Sequence, residues 1–95
     1  MSLTIRLVSD VKWYIQHDKV DELQQLVTDI YTDLQKGQCY VDWQYLFKEA
    51  YLYSCNKKKE VYIDLCKQMY EKFDPKTQLY LKPFMTYGKY LAMPK

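Results

Sequence analysis

The chain has 95 residues, of which 48% are apolar, 17% aromatic and 27% charged. This length and composition are typical of one globular domain and exclude a disordered chain. Two glycines and three prolines are too few to build the turns of a many-stranded β-sandwich or barrel. Gly37 and Gly88 lie too far apart to form a glycine-rich phosphate loop.

The net charge of +2 is distributed unevenly along the chain. Residues 1–50 contain five basic and eight acidic residues and carry −3, whereas residues 51–95 contain nine lysines and four acidic residues and carry +5. The two halves of the chain, or two copies of it, are therefore expected to attract each other.

Helical spacing of apolar residues dominates the first half of the chain. A first helix that ends at His17 places Ile5, Val8 and Ile15 on one stripe. Asp18 is predicted as the N-cap of a second helix, and Gly37 as the residue that follows its last turn. The apolar residues of this second helix match the helical template throughout: Leu23, Leu26, Val27, Ile30, Tyr31 and Leu34.

Three more helical segments are predicted in the second half. Asp42 caps a third helix, in which the small residue Ala50 lets a neighbouring helix approach closely. The fourth helix runs from about Val61 to the boundary before Pro75. Asp74 caps a fifth segment, which Pro83 is expected to kink or to divide into two short helices.

The short turns between these segments make consecutive helices antiparallel neighbours. The sequence therefore predicts an all-α fold in which four to five short antiparallel helices are stacked as helical hairpins, within a single helical domain of residues 1–95.

The three cysteines, Cys39, Cys55 and Cys66, form no CxxC pair. Their odd number and wide spacing predict reduced thiols, no metal site and an intracellular location. Neither a signal peptide nor a membrane-spanning run of apolar residues is present, so no membrane association is expected.

Catalytic residue patterns are almost wholly lacking. His17 is the one histidine available as a base for a nucleophile, and its adjacency to Asp18 does not by itself make a site. The sequence predicts a protein that is not an enzyme and that needs no cofactor.

Two stretches of the chain, residues 11–26 and 50–66, each read as a helix, a polar turn and a second helix, at an offset of about 39 residues. This pattern resembles the helix pair of ankyrin repeats, with Ala50 at the small position of the inner helix and residues 56–58 at the turn between the helices. Residues 73–75 and 87–91 are similar to segments of degenerate ankyrin-like proteins of large DNA viruses. The resemblance implies protein–protein binding without catalysis.

Eleven tyrosines are more aromatic rings than so small a core is expected to hide. They indicate either an aromatic binding surface or a core and rim that are filled with amphipathic rings. Trp43 is predicted in the core, whereas Trp13 lies off the apolar stripe and is predicted to be exposed. The residues predicted to contact a partner are Trp13, Tyr51, Lys57, Lys58, Lys59 and Tyr62.

The function predicted from these features is a small non-catalytic protein–protein interaction module that associates with another protein or with itself, a homodimer being favoured. Weak, sequence-independent binding of nucleic acid by the lysine-rich second half is the alternative, because tyrosines interleave with its lysines. A structural part of a larger assembly is a third interpretation.

Overall fold

A computed structural model describes residues 3–37 and 41–94. It contains five helices: α1 (Leu3–Gln16), α2 (Val20–Gln35), α3 (Trp43–Asn56), α4 (Glu60–Lys72) and α5 (Pro75–Ala92). No strand occurs in the described ranges, so the prediction of an all-α fold is confirmed.

The helices are arranged in two layers. In the first layer α3 lies between α1 and α5 and contacts both. In the second layer α2 contacts α4, and each of these two helices also contacts its hairpin partner in the first layer. The chain thus forms two stacked hairpins, α1–α2 and α3–α4, and α5 continues the first layer.

Each of the two hairpins contains the same type of turn, and the two turns lie 40 residues apart in the chain. In the first turn the amide of Lys19 donates to the carbonyl oxygen of Tyr14 at 2.8 Å, and in the second the amide of Lys59 donates to that of Ser54 at 3.1 Å. Asp18 and Lys58 have positive φ angles of 58° and 57°. This pattern is the Schellman motif, in which the residue after the helix adopts the left-handed conformation.

The first turn corrects the prediction for Asp18. The N-cap of α2 is Lys19, whose side chain makes no capping hydrogen bond, and Asp18 is instead the left-handed residue that ends α1. Aspartate serves in both roles because its short polar side chain tolerates the left-handed region as well as it caps helices.

The remaining caps follow the predictions. The amide of Tyr45 donates to Asp42 Oδ1 at 3.1 Å at the start of α3, and the amide of Thr77 donates to Asp74 Oδ2 at 3.3 Å at the start of α5. Gly37 adopts a positive φ of 74° after α2. These local hydrogen bonds satisfy amides that the first turn of a helix leaves without a partner.

An aromatic cluster forms the centre of the core. The ring of Phe47 packs on the rings of Tyr51, Tyr70 and Phe73, with centroids 5.6, 5.8 and 6.0 Å away. Trp43 is buried as predicted, and its indole Nε1 donates to Asp33 Oδ2 at 2.6 Å. This bond ties α3 to the end of α2.

The predicted division of this segment into two short helices at Pro83 is wrong, because α5 runs as one helix from Pro75 to Ala92. Pro83 and Leu79 both lie on the exposed side of α5. Proline removes the hydrogen bond to the carbonyl four residues earlier. That carbonyl belongs to the exposed Leu79, where water can satisfy it, so the helix tolerates the proline.

A close contact between α3 and α5 depends on Gly88. A Cβ atom added at Gly88 would overlap with the ring of Tyr51, which is completely buried. The hydroxyl of Tyr51 donates to the carbonyl oxygen of Met85 at 3.2 Å. The absence of a side chain at Gly88 thus lets α5 lie directly on the tyrosine ring.

We expect Gly88→Ala to lower the free energy of unfolding by about 2 kcal/mol, because the added methyl group overpacks a filled core. Urea unfolding measures this loss, and Thr86→Ala on the exposed side of α5 is the matched control. In a Tyr51→Leu background the cost of Gly88→Ala should fall. An equal cost in both backgrounds would contradict the proposed contact.

Candidate functional site

An apolar and aromatic surface covers the exposed side of α5. It consists of Leu79, Tyr80, Pro83, Tyr87 and Tyr90, and is called here the α5 outer face. Steps of four, four and three residues bring Leu79, Pro83, Tyr87 and Tyr90 to one side of a helix. Between 55% and 72% of the surface of its leucine and each of its tyrosines is exposed.

The packing of the opposite side of α5 causes this exposure. Leu81 and Gly88 are buried against the core, and Phe84 and Leu91 are partly buried beside them. Because Gly88 must lie on the Tyr51 ring, the helix cannot rotate to bury Tyr87 or Tyr90 instead. The site is therefore a consequence of the α3–α5 contact.

The electrostatic character of α5 is purely basic. The helix contains Lys76, Lys82 and Lys89 and no acidic residue, so it carries a charge of +3. By contrast, α2 contains four acidic residues and no basic residue within its bounds. The two helices therefore differ in charge by seven units, with α5 as the basic one.

Three exposed apolar side chains lie on α1, at the other end of the first layer. Leu3, Ile5 and Trp13 are each about half exposed. The indole of Trp13 packs on the imidazole of His17, with ring centroids 4.4 Å apart, so that Trp13 is held on the surface. The predicted exposure of Trp13 is confirmed.

The structure does not bring the predicted contact residues together on one surface. Tyr51 is completely buried and Tyr62 is 3% exposed, so neither side chain offers surface to a partner. Both lie on the inner sides of their helices, where the tyrosine ring fills the core. The hydroxyl of Tyr62 is buried without a hydrogen-bond partner in the described part of the chain.

The three lysines of the second turn have different environments. Lys57 and Lys58 are exposed, and the ammonium of Lys57 lies 5.6 Å from the ring centroid of Tyr53. Lys59 is half-buried, and its Nζ donates to the carbonyl oxygen of Ile15 at 2.7 Å and to Asp18 Oδ1 at 3.0 Å. Lys59 thus joins the two hairpin turns and is not available to a partner.

Neither described cysteine has the properties of a nucleophile. Cys55 and Cys66 are free and buried, and Cys39 lies outside the described residues. Burial raises the pKa of the Cys66 thiol to about 12 and also raises that of Cys55. Both therefore remain protonated at neutral pH, whereas the thiolate is the reactive form.

Two further features bear on the predicted classes of site. Residues 3–37 and 41–94 contain no group of three His, Cys, Asp or Glu side chains that is placed to hold a metal ion. Within the same residues, no helix combines the length and the apolar character that crossing a membrane requires.

In comparisons with known proteins, no family model, no curated protein and no solved structure matched this chain.

The sequence does not predict the α5 outer face, because α5 has apolar residues on two sides. Leu81, Phe84 and Leu91 follow one stripe, and Leu79, Tyr87 and Tyr90 follow another. The signal that distinguishes the two stripes is Gly88, which marks the side that approaches another helix.

We expect the described thiols to be unreactive in the native chain, since burial keeps them protonated. In a Cys39→Ser variant, a disulfide reagent at pH 8 should label neither Cys55 nor Cys66 rapidly, and should label both after denaturation. Rapid labelling of the native variant would contradict the burial of these residues.

We also expect Lys59→Met to lower the free energy of unfolding by about 1 kcal/mol, because the carbonyl of Ile15 loses a charged donor. The loss through Asp18 should be much smaller, because that carboxylate is mostly exposed. Urea unfolding measures the total loss of stability for Lys59→Met, with Lys57→Met as the control. Equal losses for Lys57→Met and Lys59→Met would contradict the bridging role of Lys59.

Proposed function

We propose that this chain is a non-catalytic protein-interaction module that binds another protein chain through the α5 outer face. The observation that carries the proposal is the exposure of Leu79 and three tyrosines on one side of a helix whose other side is packed. Contiguous exposed apolar surface marks interaction sites, and tyrosine is enriched among the residues that dominate binding energy.

The charge on α5 supports the same proposal. Lys76, Lys82 and Lys89 lie on the same helix as the aromatic residues, and this helix contains no acidic residue. Such a pattern gives an acidic partner a faster encounter and a defined orientation, while the tyrosines supply most of the affinity. The resemblance to ankyrin repeats implies the same class of function.

Binding of single-stranded nucleic acid is a second candidate, which the same arrangement of tyrosines and lysines favours. Tyr80, Tyr87 and Tyr90 are exposed rings on which bases can stack, and three lysines lie on the same helix. The second half of the chain contains no arginine, so this binding would be weak, independent of base sequence and strongly reduced by salt.

A photo-crosslinking amino acid tests the proposal when it replaces Tyr87 and, as a matched control, Tyr31, an exposed tyrosine on α2. In the source cells, the label at position 87 should capture a protein and the label at position 31 should not. Replacing Tyr90 with serine should reduce the capture at position 87 about tenfold or more, because tyrosines dominate such interfaces.

Three outcomes would contradict the protein-binding proposal. These are equal capture at both positions, capture that Tyr90→Ser leaves unchanged, and capture of nucleic acid in place of protein. The last of these would support the second candidate. Circular dichroism of each variant checks that the helices are retained.

A further inference from the structure

A cavity of about 540 Å³ lies at the C-terminal end of the α5 outer face. Tyr90 belongs to both, and the cavity is lined by Tyr90, Leu91, Met93, Pro94, Asn56 and Lys58. Four of these six residues are apolar or aromatic, and none is acidic. The end of α5 thus provides an apolar wall, and the end of α3 with the turn after it provides one amide and one ammonium group.

Lys58 differs from the other two lysines of this turn. Lys57 lies over the ring of Tyr53, and Lys59 bridges the two hairpin turns. In the described part of the chain, the ammonium of Lys58 takes part in no ion pair or hydrogen bond. Its backbone is fixed in the left-handed conformation, and its amide donates to the carbonyl oxygen of Cys55 at 3.0 Å. A charge without a partner is therefore attached to a defined turn beside the cavity.

The first turn shows what a charged residue at this position contacts. Asp18 is the left-handed residue of the first turn, as Lys58 is of the second. The carboxylate of Asp18 pairs at 3.0 Å with the ammonium of Lys59, which belongs to the neighbouring turn. Lys58 instead lines the cavity beside the end of α5. A carboxylate in this cavity would pair with Lys58 as Lys59 pairs with Asp18, with the two charges exchanged.

The charges near the cavity favour an anionic group. Met93 and Pro94 also line a neighbouring cavity, on the side of α4. The charged residues of that neighbouring cavity are two acidic and two basic ones, Glu60, Asp64, Lys67 and Lys89. They balance one another, whereas Lys58 faces no acidic residue in the lining of its own cavity. An anion is therefore attracted to the cavity that adjoins Tyr90.

We propose that this cavity binds a segment of the partner protein in which a large apolar side chain stands next to an acidic residue. The apolar side chain contacts Tyr90 and Met93, and the carboxylate pairs with Lys58. This inference rests on the proposed function, because Tyr90 belongs to the α5 outer face, and it states the chemistry that the partner must carry.

A nucleotide suits this cavity less well than such a segment. The edges of a base are polar and need hydrogen bonds when they leave water. Only Asn56 and the hydroxyl of Tyr90 offer neutral polar side-chain groups in the lining, and the other residues of α5 offer none. Proteins that bind single strands also follow the phosphates with a basic groove, whereas a single lysine lines this cavity.

Three capped dipeptides test the two parts of the proposal separately. Acetyl-Phe-Glu-amide carries the apolar group and the carboxylate, acetyl-Phe-Gln-amide lacks the charge, and acetyl-Gly-Glu-amide lacks the apolar group. Amide chemical shifts of the isotope-labelled full chain locate the binding and measure its strength. Adenosine monophosphate is the nucleotide probe.

We expect acetyl-Phe-Glu-amide to shift the amide signals of Asn56, Lys58 and residues 90–93, with a dissociation constant of about 1 mM or more. Loss of the carboxylate should weaken binding about threefold, because an exposed ion pair contributes little. Loss of the phenyl ring should weaken binding about tenfold or more, because the ring supplies the apolar area that is buried.

Two lysine variants assign the charge effect to one residue. Lys58→Met should remove the preference for the Glu peptide over the Gln peptide, and Lys57→Met, which removes the neighbouring charge, should preserve it. In the crosslinking experiment, Lys58→Met should lower the capture at position 87 about threefold, and Lys57→Met should leave it unchanged. Circular dichroism verifies that both variants retain the helices.

Four outcomes would overturn this inference. They are shifts that the peptides fail to produce around the cavity, equal binding of the Glu and Gln peptides, a preference that Lys58→Met leaves intact, and stronger binding of adenosine monophosphate than of acetyl-Phe-Glu-amide at the same signals. None of the first three contradicts protein capture at position 87 that depends on Tyr90. A failure of the cavity is therefore distinguishable from a failure of the proposed function.

Discussion

The contact between the ring of Tyr51 and the backbone of Gly88 determines how α5 is turned about its own axis. Because α5 has apolar side chains on two sides, this contact decides which of them is exposed. The buried ring occupies the space that any larger side chain would need, and the hydroxyl of Tyr51 holds the carbonyl of Met85 at the same position. The exposure of the α5 outer face is therefore specified from inside the protein, by a ring that is itself completely buried.

The rest of the architecture follows from a repeated hairpin. The same Schellman turn occurs at residues 17–19 and 57–59, and Lys59 joins the two turns through the carbonyl of Ile15 and the carboxylate of Asp18. Both turns place a residue other than glycine in the left-handed region, which costs about 1–2 kcal/mol at each position. That cost is offset by the packing of the four helices, whose spacing the turns fix. After two complete hairpins, no further second-layer helix follows α5 among the described residues.

Helical periodicity predicted the five helices, the caps Asp42 and Asp74 and the opposite placement of Trp13 and Trp43, because these features depend on spacing or on adjacent residues. Features that depend on contacts between helices were not predictable in the same way. The sequence predicts that Tyr51 and Tyr62 contact a partner, whereas both are buried, since a tyrosine is equally suited to a core and to an interface. Which side of α5 is exposed depends on the contact of Gly88 with Tyr51, which spacing along the chain does not reveal.

The order of the helices has a consequence for the rate of folding. Each of the extensive contacts between helices joins elements that are neighbours in the chain or are separated by a single helix. Only short segments must therefore close before native contacts form, and proteins with such local contacts fold within microseconds to milliseconds. The two hairpins have the same type of turn and the same helix order. Either hairpin can therefore form first and the other can then pack on it, as in stacked helical repeats. Helix α5 packs on the Tyr51 ring of α3, so its docking requires the α3–α4 hairpin, and the α5 outer face takes up its position only once that hairpin has formed.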